Sequence, residues 1–162
     1  MDITPLRQAY STLLDAAATV ADSGDPSPIP PAGEWNADQI LAHVALINAA
    51  TITAACSVAS GAITTYDNRL AQDLWTIERV IALAGGNAGL RERIRLQGEA
   101  LCAVAALSEP ELDTLVPTLL LSNGKVQVDQ PLPLRDLITG LAESELPGHT
   151  TQLLALLADA TT

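Results

Sequence analysis

Phenylalanine is absent from this 162-residue chain, and two Trp and two Tyr are its only aromatic side chains. The apolar share of 48% must therefore come from Ala, Leu, Ile and Val. Ala and Leu are strong helix formers, so a core of this composition favours an all-α fold. Cysteine is nearly as scarce. Cys56 and Cys102 lie too far apart for a C-x-x-C pair, which excludes a zinc ribbon and a disulfide framework and leaves two small buried thiols as the expectation. Cations are few: eight Lys plus Arg stand against 19 Asp plus Glu, a formal charge of −11. Such a surface repels phosphate backbones and anionic lipid, so nucleic acid is not an expected partner.

The opening Met1-Asp2-Ile3-Thr4-Pro5 has no basic stretch before an apolar one, so no signal peptide is visible and the expected location is the cytoplasm. The run from Ile40 to Ala59 approaches membrane-spanning length. His43, Asn48 and several Ala, Thr and Ser dilute it, however, and no basic flank orients it. It reads as a buried core helix, with no membrane partner. The length suits one domain, residues 1–162.

Helix signals recur along the chain. Thr4-Pro5 has the form of an N-cap and first helical residue, and Leu6, Leu13, Leu14, Ala17 and Val20 follow at helical spacing to about Asp22. Pro26, Pro28, Pro30 and Pro31 then make a stiff connection. Asn36 caps a second helix to about Ser60, with Gln39 at the reach-back position of a capping box. A third helix is expected from Asp67 through Leu83, closed by Gly85-Gly86, and a fourth from Ala88 to Leu107. Ser122-Asn123-Gly124-Lys125 precedes the alternating Val126-Gln127-Val128-Asp129, which predicts a small two-stranded hairpin. A last helix runs from about Pro133 to Ala158, with a kink expected at Pro147-Gly148.

Signatures of common enzyme classes are missing. Gly85-Gly86-Asn87-Ala88-Gly89 lacks dinucleotide spacing and a Walker lysine, so it reads as a turn, and there is no G-x-S-x-G elbow. Arg91, Arg93 and Arg95 with Glu92 and Glu99 suggest an exposed, ion-paired stretch, and Glu109, Glu111 and Asp113 suggest an exposed acidic turn. Arg79 and Arg135 fit solvated helix faces, with reception of an anionic substrate as the alternative.

The two histidines carry the chemistry. His43 lies on an otherwise apolar helix, where an imidazole needs a partner. His149 follows Glu145 by four residues, which places carboxylate and imidazole on one helical face. One ligand from one helix and an i, i+4 pair from another can hold a divalent ion and leave a position open. A satisfied core histidine beside a solvated Glu-His pair explains the same residues. Trp35 fits a packing staple before the helix cap or a pocket border, and Gln152 a support to His149 or a surface residue.

The segment Trp35 to His43, followed by Glu145-x-x-x-His149-x-x-Gln152-Leu153, resembles the DinB/YfiT-like superfamily of metal-binding helical bundles. The Glu-x-x-x-His form is most similar to the mycothiol-dependent maleylpyruvate isomerase group. That resemblance implies an antiparallel four- to five-helix bundle with a hairpin before the last helix, and a metal held by His43, Glu145 and His149. Zinc is the first expectation, with nickel, iron or manganese as alternatives. It further implies a low-molecular-weight thiol and a small electrophile as partners, in S-transfer or isomerisation. Pro147-Gly148 interrupts the ligand pair, so Glu143 is the substitute for Glu145. The reading from a different class is a non-catalytic bundle binding a small ligand or a protein. Ala-rich outer faces admit a homodimer.

Overall fold

The computed structural model describes residues 1–23, 30, 33–122 and 124–159, with side chains through residue 157. The expected stiff connection through Pro26, Pro28 and Pro31 lies outside the described residues. Helix α1 (Thr4–Asp22) begins one residue earlier than the Thr4 cap implies: Ile3 is the cap position, and the Thr4 N–H is taken by the Asp2 carboxylate at 2.9 Å. Its buried stripe is Leu6, Tyr10, Leu13, Ala16, Ala17 and Val20.

Helix α2 (Ala37–Ala59) starts as its capping box requires. The Asn36 side chain accepts from the Gln39 N–H at 2.9 Å, and the Gln39 side chain accepts from the Asn36 N–H at 3.0 Å. Among the described residues it alone is long and apolar enough to cross a membrane, yet 61% of its apolar window is buried inside the fold. Its outer stripe of Ala49, Thr53, Cys56 and Ser60 faces solvent. Cys56 is therefore exposed and Cys102 only half-buried, contrary to the expectation of two buried thiols.

The region expected to begin a third helix at Asp67 does something else. Tyr66–Asp67 is a strand, β1, and Arg69–Gln72 a single 3₁₀ turn. The Asp67 carboxylate is engaged by the Arg69 backbone and guanidinium, and the role of helix cap falls to Asp73, which accepts from the Thr76 N–H at 2.9 Å. Helix α3 (Leu74–Ala84) then closes on Gly85, whose φ of 79° is left-handed and suits glycine. Helix α4 (Asn87–Val104) ends three residues before Leu107, and a one-turn helix, α5 (Glu109–Leu112), follows under a Ser108–Glu111 capping box.

The hairpin is present as β3 (Thr118–Ser122) and β4 (Lys125–Asp129), with a bulge between Leu120 and Leu121; Asn123 at its turn lies outside the described residues. It is not a lone pair of strands. β1 joins β3 in parallel, because the Tyr66 N–H donates to the Pro117 carbonyl at 2.8 Å. A second antiparallel pair forms between β2 (Leu115–Val116) and β5 (Leu132–Pro133). Two-residue strands carry no readable alternation, which is why β1, β2 and β5 are invisible in the sequence.

The last helical segment is α6 (Leu134–Gly140), a π turn (Leu141–Glu145) and α7 (Leu146–Asp159). In the π turn the Leu146 N–H donates to Leu141, five residues back. Pro147 has no N–H for the Glu143 carbonyl four residues earlier, so the irregularity falls one turn before the expected kink. α2 packs on α3, α4 and α7, and α1 packs on α4 and α7. The protein is thus predominantly helical with a small sheet, its core filled by Leu, Ile, Val and Ala.

Candidate metal centre

His43 lies on the first turns of α2, 5% exposed. Its Nδ1 donates to the Ala71 carbonyl at 2.6 Å, so the 3₁₀ turn that displaced the expected helix start is what orients the ring. Glu145 closes the π turn, and His149 follows one turn later on α7. The two imidazole Nε2 atoms stand 3.0 Å (His43) and 3.2 Å (His149) from the same oxygen, Oε1 of Glu145. All three potential ligand atoms lie within 4.8 Å of one another. His149 directs its Nδ1 to Gln152 Oε1 at 2.6 Å. The rings lie in contact but are not parallel: Trp35 and His43 are tilted by 50° with centroids 4.9 Å apart, and His43 and His149 meet edge-on at 62° and 4.7 Å.

These contacts decide the tautomers. An Nδ1 facing a carbonyl or amide oxygen must carry the proton, so each neutral ring turns an Nε2 lone pair toward Glu145. Two lone pairs and a carboxylate oxygen aimed at one another repel unless positive charge lies among them. Either both rings take a second proton or a cation sits there. With no ion present and both rings carrying a second proton, hydrogen bonds from His149 first and His43 second hold the Glu145 carboxyl far below the usual carboxylate range, against the opposing effect of burial. The carboxylate is therefore ionised and ready as a ligand. Metal bonds of about 2.0–2.2 Å in tetrahedral geometry space ligand atoms roughly 3.4 Å apart; the two nitrogen-to-oxygen distances of 3.0 and 3.2 Å are close to that. The donor set thus fits a divalent ion, and the Ala71 carbonyl and Gln152 supply the orienting contacts that metal-bound histidines ordinarily have.

Beside the triad opens a cleft of roughly 700 Å³, within the range of small-molecule sites. Trp35, Ile40, Leu121 and Leu156 give it apolar walls, and Glu34, Asn68, Gln72, Ser122 and Gln152 its polar groups. Trp35 serves both suggested roles, packing against the core edge and bordering the cleft. Asn68 pairs with both backbone groups of Leu121 at 2.8 and 2.9 Å, and Gln72 donates to the same carbonyl, so the strand bulge at the rim is pinned by two side chains. Neither residue carries a motif that sequence reasoning could find.

Glu143, the substitute ligand, faces a separate cavity of about 50 Å³ with Met1 and Leu6, while Glu145 occupies the site despite Pro147. Arg79 lies over the exposed Trp75 ring, Arg95 pairs with Glu92 and Glu99, and Arg135 pairs with Glu109 and Asp113. None of these three arginines lines the cleft.

Fold and site together define a predominantly helical protein whose His43-Glu145-His149 cluster could hold a metal ion. No protein-family model, curated protein or solved structure matches the chain.

Proposed function

We propose that the chain is a metal-dependent enzyme of the DinB/YfiT-like type that uses a low-molecular-weight thiol, mycothiol or a similar one, for S-transfer to, or isomerisation of, a small electrophile. In this reading α1, α2, α4 and the α6–α7 segment are the long helices of the bundle and α3 is the short fifth. The observation that carries it is the convergence of two Nε2 atoms on one carboxylate oxygen at the floor of a cleft.

His43, Glu145 and His149 would hold the ion, and the cleft side of the cluster is where a fourth ligand would enter. With two neutral imidazoles and one carboxylate around it, a divalent ion would keep about one net positive charge and favour the thiolate form of a bound thiol. The thiol proton would pass to solvent, and the thiolate sulfur would attack the electrophile. In transfer a C–S bond would form as the leaving group departs with its electron pair. In isomerisation sulfur would add to a conjugated double bond, the resulting single bond would rotate, and expulsion of the thiolate would restore the alkene. Trp35, Ile40 and Leu156 give the cleft an apolar wall beside the triad.

Elemental analysis of the purified, tag-free protein tests this, beside His43→Ala and His149→Ala. About one zinc or nickel per wild-type chain, lost in both variants, supports the reading. A wild type that stays empty after incubation with zinc and nickel overturns it in favour of a ligand-binding helical protein.

A further inference from the structure

One short turn, Asn68 to Gln72, joins a ligand of the triad to the rim of the cleft. Strand β1 stops at Asp67, and the Asn68 backbone, at φ −95° and ψ 7°, leaves the sheet. The buried Asn68 side chain continues the pairing in its place. Its amide nitrogen donates to the Leu121 carbonyl at 2.9 Å, and its oxygen accepts from the Leu121 N–H at 2.8 Å. Gln72, at the other end of the turn, donates to the same carbonyl. Between these anchors lies the buried Ala71, whose carbonyl accepts the His43 Nδ1 proton at 2.6 Å. Leu121 and Ser122 line the cleft.

A carboxamide carries a donor and an acceptor side by side, as a peptide unit does, so among side chains of its length Asn alone can pair both backbone groups of Leu121. Resting on the metal reading of the triad, we propose that Asn68 is a positioning residue for the metal centre, with Gln72 as its second anchor. By fixing the turn to β3 they set the Ala71 carbonyl that orients His43, and they couple metal occupancy to the order of the cleft rim. A ligand seated against Leu121 is thereby felt at His43 without touching it. The coupling acts in both directions: whatever factor the anchored turn adds to metal affinity, bound metal adds to the protection of the Leu121–Asn68 pair.

Asn68→Asp tests this, since a carboxylate keeps the shape and the acceptor for the Leu121 N–H but turns a lone pair on the Leu121 carbonyl. The first reading is made by NMR on metal-free protein isotope-labelled at its histidines, with His149→Ala to assign the rings. The His43 Nδ1 proton is expected to exchange slowly in the wild type and in Gly98→Ala, which is perturbed at the Tyr10 contact instead, and about tenfold faster in Asn68→Asp. Zinc affinity, from competition with a chelator, should fall about tenfold in Asn68→Asp and stay unchanged in Gly98→Ala. In the wild type, zinc should slow exchange of the Leu121 amide by about the same factor. An unchanged His43 signal or zinc affinity in folded Asn68→Asp overturns the proposal. So does an equal loss in Gly98→Ala, or a Leu121 amide indifferent to bound zinc. If Asn68→Asp does not fold, Gln72→Leu decides by the same readings, with losses in the same direction expected. A protein that takes up no zinc defeats the metal reading alone, because the ring-proton comparison is made without metal.

Discussion

Gly98 of α4 lies so close to Tyr10 of α1 that a Cβ added to it would stand 2.9 Å from the ring Cγ and 3.1 Å from both Cδ atoms. The ring cannot easily yield, since its hydroxyl donates to Asn48 Oδ1 at 2.7 Å inside the core. Gly98→Ala gains about 1 kcal/mol of helix propensity, whereas overpacking a closed core costs about 1–3 kcal/mol. The expected result is a net loss of about 1 kcal/mol, seen as a lower urea midpoint. A higher midpoint would mean that α1 and α4 separate freely at this crossing.

The same tyrosine, with Tyr66, makes a pH prediction. These are the only two tyrosines, both are buried, and burial pushes both phenols above their ordinary value of 10.0. A raised folded-state value means that the contribution to stability is complete below the unfolded value and declines as pH rises above it. Tyrosinate absorbance should therefore stay flat through about pH 10 and then rise in one steep step together with loss of helical circular dichroism. A gradual rise centred near pH 10 with the helices intact would show that solvent reaches the rings.

Asn36→Ala removes the acceptor for the Gln39 N–H and leaves a helix end unsatisfied. A loss of about 1 kcal/mol is expected in denaturant unfolding, and Asn36→Asp should retain most of it. Equal losses in both variants would point to packing at the helix start instead of the cap.

How much of this is legible in the sequence depends on the range of the signal. The α2 start is written in a four-residue box, and the hairpin in Asn-Gly followed by the alternation of Val126 to Asp129, so both are found where expected. The Glu145–His149 pair follows from helical spacing, and His43 stands out as an imidazole in an apolar helix. That the three meet is not readable from spacing, because it depends on how α2 and the α6–α7 segment pack across 102 residues. The π turn and the Ala71 contact are hidden for a further reason. A backbone carbonyl has no side-chain signature, and Asp67-Asn68 before a helix imitates a cap until β3 claims the backbone of Tyr66.

Gln152 supplies the most discriminating test of the site. Its Oε1 accepts the His149 Nδ1 proton, which keeps Nε2 as the lone-pair nitrogen facing Glu145. Gln152→Leu deletes that acceptor and frees the ring to change tautomer and rotate. Loss of such an orienting contact costs about 10–100-fold in metal affinity, so the variant should need correspondingly more free zinc for the same rise in melting temperature. At a zinc concentration 100 times its Kd the wild type should gain about 2.7 kcal/mol of stability, and His149→Ala none of this. Gln152→Glu keeps an acceptor and should restore affinity while Gln152→Leu does not. If all three proteins titrate alike, Gln152 is a surface residue that happens to touch His149, and the orientation of the ring must come from packing against His43 and α7.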